Sequence, residues 1–301
     1  MKVYYKRLIE GITTPAIIQN GGYHFIHMPV YEDGTIDCWG RVPIDEAAEK
    51  LKQGWLVTSV PVGEHLSIHG LGAYKIKKAR WNFTENSYVD HLYSLVKGMN
   101  HKMSGLFQET AEQKEKWSTA HVKWNATGIP YKVKSNFGYS MMDGRATSMF
   151  QQDGDVFHLV SIIAYADGYY QIGDDSFSSQ ETTDMIQQKQ LLCSPPPDAP
   201  IHLMGLGTIE IENDPYSVDP AEKLKELLDY PNELGKKGTA HDRCRAAYHQ
   251  YLEWPDENAR ERLRAAYEAV PEHERMYLGD MDTRDQDYLR ILFEPDNKRE
   301  V

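Results

Sequence analysis

Cysteine is scarce in this chain. Of 301 residues only Cys38, Cys193 and Cys244 are cysteine, and their odd number and wide separation exclude a disulfide framework and a paired-cysteine zinc ribbon. No uninterrupted apolar run approaches the ~20 residues that cross a bilayer. Met1 leads into Lys2-Val3-Tyr4-Tyr5 rather than an apolar leader, so the expectation is a cytosolic protein with no membrane partner, in which the sequons at Asn82 and Asn125 carry no meaning. Basic residues are outnumbered, 33 Lys and Arg against 45 Asp and Glu, for a net charge of −12. That field repels phosphates, so no nucleic acid partner is expected. The two compact basic runs, Lys75 to Arg80 and Lys132 to Lys134, alternate with apolar residues and read as solvated strand faces. A P-loop, a glycine-framed serine elbow and a Cys-His pairing are also missing.

What the chain does have is an internal match. His24, Tyr31, Asp33, Gly34, Leu56, Ser59, Pro61, Gly70, Leu71, Gly72 and Ile76 recur as His158, Tyr165, Asp167, Gly168, Leu191, Ser194, Pro196, Gly205, Leu206, Gly207 and Ile211. The offset is 134 in the early part and 135 in the late part, so one inserted residue accounts for the drift. Alternating residues predict strands over 23–31 and 157–165, each running into Asp-Gly, a pair suited to a two-residue hairpin turn. Returning strands follow at 35–41 and 169–173. Ile44, Ala47, Ala48 and Leu51 then mark a helix, and Ser178-x-x-Glu181 caps its counterpart. Two further strands, 56–60 and 66–76, and a second helix bearing Tyr88, Leu92, Leu95 and Val96 complete the first copy. The second copy's last helix opens with Asp219-Pro220 and carries Leu224, Leu227 and Leu228.

The expected fold is α+β: two tandem related units of antiparallel sheet with helices, arranged as a pseudo-dimer, plus a C-terminal helical segment. The boundaries are 1–100 for the first unit, 101–134 for a helical connector built on Trp117, Ala120, His121 and Trp124, 135–232 for the second unit, and 233–301 for the helical segment. In that segment Cys244, Ala247, Tyr248, Tyr251 and Leu252 share one helix face. Leu263, Ala266, Tyr267 and Val270 share the next, and a last helix runs over 282–293.

Each chemical motif has a plainer explanation. Gly70-Leu71-Gly72 and Gly205-Leu206-Gly207 lack the third glycine of a dinucleotide fingerprint, since Lys75 and Glu210 stand there, so they read as a bulge or a close backbone approach. His24 and His158 lie in register with apolar residues and read as buried structural histidines. Asp280-Met281-Asp282-Thr283 imitates a phosphatase nucleophile motif but has too little chain after it for a parallel sheet, and it fails as a calcium loop because Ile291 stands at the twelfth position. The densest polar set is Glu64, His65, Ser67 and His69. On a straight strand His65 and His69 lie roughly 13 Å apart, so a ligand set would have to recruit His202 from the other copy.

These readings favour a non-enzymatic binding protein, immunity-type or regulatory, that uses the groove between the duplicated units for a protein partner or small ligand. Its acidic charge suits a basic protein or a cationic ligand. No cofactor and no metal site are expected. The alternatives are a hydrolase-like enzyme with an acid/base or metal site drawn from Glu64, His65, His69 and His202, and a small-molecule sensor lined by Tyr and Trp.

Overall fold

The computed structural model describes residues 9–107, 131–135, 138–212, 216–279 and 283–294, and for 131–135, 138–141 and 283–286 the backbone alone. The protein is a mixed α+β chain. Its first half runs β1 (Gly11–Gln19), β2 (Tyr23–Tyr31), β3 (Thr35–Asp37), β4 (Arg41–Pro43), α1 (Ile44–Lys52), β5 (Leu56–Val57), β6 (His65–Ile68), β7 (Gly72–Trp81) and α2 (Glu85–Met99). After the hairpin β8 (Tyr131–Ser135) and β9 (Gly138–Met142), the same order returns. It reads β10 (Gly144–Asp153), β11 (Val156–Tyr165), β12 (Tyr169–Ile172), β13 (Asp175–Ser178), α3 (Ser179–Gln187), β14 (Leu191–Leu192), β15 (Ile201–His202), β16 (Gly207–Ile211) and α4 (Pro220–Leu234). Then come α5 (Ala240–Glu253), α6 (Glu257–Ala269), a 3-10 helix (Glu272–Tyr277) and α7 (Thr283–Phe293).

The expected turns and caps form with local differences. Tyr31 and Tyr165 each end a strand, and the amides of Gly34 and Gly168 donate to their carbonyls at 2.9 and 3.0 Å. The Asp-Gly pairs therefore sit in three-residue loops, with glycine supplying the left-handed residue after a tight turn, not in two-residue turns. Ser178 and Glu181 cap α3 reciprocally, as Thr84 and Ser87 cap α2. The strand expected over 66–76 is broken: Gly70-Leu71 turns the chain between β6 and β7, with the Leu71 amide donating to the Ile68 carbonyl at 3.0 Å. Gly72 still marks a close approach, because a Cβ there would lie 2.5 Å from the Tyr216 carbonyl oxygen. The connector expected to be helical ends in strand β8, and its Trp117 to Trp124 stripe lies outside the described residues.

Two compact units emerge, and their limits do not follow the two runs of common element order. The first comprises Met1–Ala126, Phe150–Leu159 and Pro195–Ser217; the second comprises Thr127–Met149, Val160–Ser194 and Val218–Val301. The cause lies in hydrogen bonding: β16 pairs antiparallel with β7, which assigns late residues to the first unit. There the strands run β11-β15-β16-β7-β6-β2-β1-β5, with β11 taking part through Phe157 and His158. The apolar faces of α1 (Ile44, Ala47, Leu51) and α2 (Tyr88, Leu92, Val96) are buried in this unit, and the Tyr88 hydroxyl donates to the Pro15 carbonyl at 2.6 Å. In the basic run of β7, Lys75, Lys77 and Lys78 pair with Glu212, Asp198 and Glu210 at 2.6–2.9 Å.

In the second unit β11 pairs with β12 and β12 with β13. The C-terminal helices close a core of their own from Cys244, Tyr248, Leu263, Tyr267, Val270, Leu278, Tyr288, Ile291 and Leu292. Leu252, expected on that face, is exposed: α5 ends one residue later, and the outer turn overhangs the core. Among the described residues no helix is long and apolar enough to cross a membrane.

Candidate functional site

The helix α4 does not bury the leucine stripe its sequence displays. Leu227 is buried, but Leu228 is 42% exposed, and the inward face carries Lys223, Glu226 and Tyr230. Lys223 is fully buried and Glu226 only 4% exposed. Buried charges survive only when paired and hydrogen-bonded, and here the pairing is complete. The Lys223 ammonium donates to both Glu226 oxygens at 2.9 and 3.0 Å and to Thr147 Oγ1 at 2.7 Å. The Tyr230 hydroxyl donates to Glu226 Oε1, and His273 Nε2, from the 3-10 helix, reaches Oε2 at 2.8 Å.

Burial pushes the Glu226 carboxyl up, but the His273 hydrogen bond, the Lys223 charge and the Tyr230 hydroxyl outweigh it and hold the carboxyl at about 2. The same surroundings raise Tyr230, through burial first and the Glu226 charge second. An ionised carboxylate accepts only, so His273 presents a protonated Nε2 to it, while its Nδ1 is buried with no hydrogen-bond partner. Glu274 follows in the chain. Its carboxyl is raised by burial and by the Glu226 charge, against the nearby His241, His273 and Arg145. One donor atom from each of Glu226, His273 and Glu274 lies within 4.8 Å of the others.

A second cluster lies in the first unit. Trp39 sits in the three-residue loop joining β3 to β4, with φ of 59° and 43% exposure. Its ring packs against His24 (centroids 5.3 Å) and edge-on against Trp55 (6.3 Å), and the Lys50 ammonium lies 4.6 Å from the Trp55 ring centroid. A cation over an indole and two indoles at right angles make a stacking platform. At the corresponding place β12 and β13 are joined by the two-residue turn Gly173-Asp174, with no aromatic ring.

The histidines expected to matter are scattered. Glu64, His65 and His69 are exposed, on β6 or beside it. His202, on β15, stacks on His158 (centroids 5.0 Å) and bonds Thr208 Oγ1 at 2.9 Å. Strands β16 and β7 intervene between β15 and β6, a lateral separation of roughly 14 Å. His202 is therefore not brought to Glu64, His65 and His69. His24 and His158 are half-buried rather than buried, and His24 Nε2 donates to the Asn20 carbonyl at 3.2 Å. The Asp280-Met281-Asp282 motif lies outside the described residues.

Sequence periodicity passed over both clusters. Lys223, Glu226 and Tyr230 share a helix face by their spacing of three and four, a signal that was present but resembled a solvated face. Trp39 was hidden in a run that reads as one strand.

No curated protein and no solved structure matches the chain. Two family models do match. One, described as Domain of unknown function (DUF7639), covers residues 239–300, which hold helices α5 to α7. The other covers residues 1–103 and 132–237, more than half of the chain and both runs of the common element order, so the protein belongs to the family described as Domain of unknown function (DUF7638).

Proposed function

We propose that the protein is a cytosolic, non-enzymatic binding protein whose ligand, a protein segment or a small molecule, stacks on the aromatic platform at Trp39. Backbone strain carries the reading. A left-handed conformation costs a bulky L-residue roughly 1–2 kcal/mol, and Trp39 bears that cost while keeping 43% of its surface in water. Neither feature serves the core, whereas both serve presentation of an indole. The buried thiols of Cys38, Cys193 and Cys244 accord with a reducing compartment.

The reading takes the chain as a duplication. Besides the shared element order, Gly11 faces the Tyr31 ring and Gly144 the Tyr165 ring, each so closely that a Cβ would lie 2.8 Å away. Ile211 also stands opposite Ile76, its own counterpart in the match, where β16 meets β7. A strand pair that sets equivalent residues face to face is what a local twofold relation between copies produces. The platform belongs to the first copy alone, so the copies have diverged in what they bind.

The test is capture from the native host with wild type and Trp39→Gly side by side. Glycine relieves the strain and removes the indole, so the variant should fold normally and lose the ligand that wild type retains, together with the change in tryptophan fluorescence on binding. Equal retention of the same ligand by both proteins would refute the proposal.

A further inference from the structure

The cluster on α4 and the 3-10 helix holds more negative charge than its buried cation offsets. Glu226 is paired with a single ammonium, that of Lys223, and of the cations near Glu274, Arg145 is engaged with Glu233 and stacks over the Tyr230 ring at 4.3 Å. His241 reaches Glu274 only loosely, its Nδ1 3.8 Å from Oε2. Independently, the buried Nδ1 of His273 has no partner, and an orphaned buried polar atom calls for a water or an ion. We propose that Glu226, His273 and Glu274 bind one divalent transition-metal ion, zinc by preference. Two carboxylates and an imidazole are a donor set that zinc accepts.

The geometry needs little adjustment. Donors bound at 2.0–2.2 Å on a tetrahedral ion lie about 3.4 Å apart. His273 Nε2 and Glu226 Oε2 are at 2.8 Å, and all three donor atoms fall within 4.8 Å of one another, so no pair has to close by more than about 1.4 Å to reach that spacing. The ion takes Nε2, the nitrogen beside Glu226, and the proton held there passes to Nδ1. Lys223 and Tyr230 keep Glu226 ionised and fixed. His273 and Glu274 stay partly exposed, which leaves the fourth position to water.

The experiment uses full-length protein purified without an affinity tag, stripped with chelator and titrated with zinc by calorimetry, with thermal unfolding followed alongside. One equivalent of zinc should bind and raise the melting temperature, and Glu274→Gln should weaken binding at least 100-fold while leaving the circular dichroism of the stripped protein unchanged. Glu64→Gln should bind as wild type does. His273→Ala should also lose the site, with Glu274→Gln deciding if that variant fails to fold. No saturable binding near one equivalent, or binding that Glu274→Gln leaves intact, would overturn the assignment.

Discussion

Lys223→Met keeps most of the length of the side chain and removes its charge. Glu226 would then lie buried with only the Tyr230 hydroxyl and the His273 imidazole against its negative charge. Two routes give the magnitude. A carboxyl held at about 2 instead of 4.5 carries about 3 kcal/mol of folding stability. Removing one partner of a buried ion pair costs about 3–5 kcal/mol, because the other charge is left uncompensated. Both residues are almost wholly buried, so solvent screening removes little of this. Lys223 is one of three groups holding Glu226 down, which places the expected loss at about 2–4 kcal/mol at pH 7.

The pH dependence separates this electrostatic account from lost packing. The folded carboxyl titrates below its unfolded value, so its contribution is complete above about 4.5 and disappears as the pH falls toward 2. Wild type should lose stability through that window, and Lys223→Met should lose less because part of the term is already gone. Urea unfolding followed by circular dichroism at pH 7 and pH 3 measures both. Lys223→Met with Glu226→Gln should recover part of the deficit, since the amide removes the uncompensated buried charge while its carbonyl oxygen still accepts from the Tyr230 hydroxyl. A single Lys223→Met variant within about 1 kcal/mol of wild type at pH 7 would show that the pair contributes little, and the reasoning would fail.

Gly144→Ala should cost about 1–3 kcal/mol in chemical denaturation, because its Cβ would press on both the buried Tyr165 ring and Ile163. Gly11→Ala should cost under about 1 kcal/mol, because the half-buried Tyr31 ring can turn aside. Burial pushes the Cys38 and Cys244 thiols up to about 11 and Cys193 to about 12, so a colorimetric thiol reagent should react with none of them in native protein at pH 8 and with all three in denaturant. Rapid native modification of any one would show an opening that the packing does not provide.

The sequence carried whatever depends on local periodicity. Strands such as β2 and helices such as α1 and α2 were legible because turn residues, caps and apolar spacing act within a few positions. The internal sequence match exposed the common order because it set two weak signals side by side. Where the reading failed, a residue's role depended on something distant or on one backbone angle. Trp39 lies inside an apparently continuous strand, and its left-handed φ sets a loop there that no residue type at that position announces. The polar face of α4 is harder still. Lysine, glutamate and tyrosine at spacings of three and four describe a solvated helix face unless partners arrive from elsewhere. Those partners are Thr147, 76 residues from Lys223, and His273, 47 residues from Glu226. Leu228 completed a convincing apolar stripe and is nevertheless exposed. A buried charge is specified by the groups opposite it, a pairwise property that one chain read in order does not display. Such a cluster also costs desolvation that an apolar face would avoid, and that excess cost over a plain leucine seam is the reason to seek its function at Glu226 and His273.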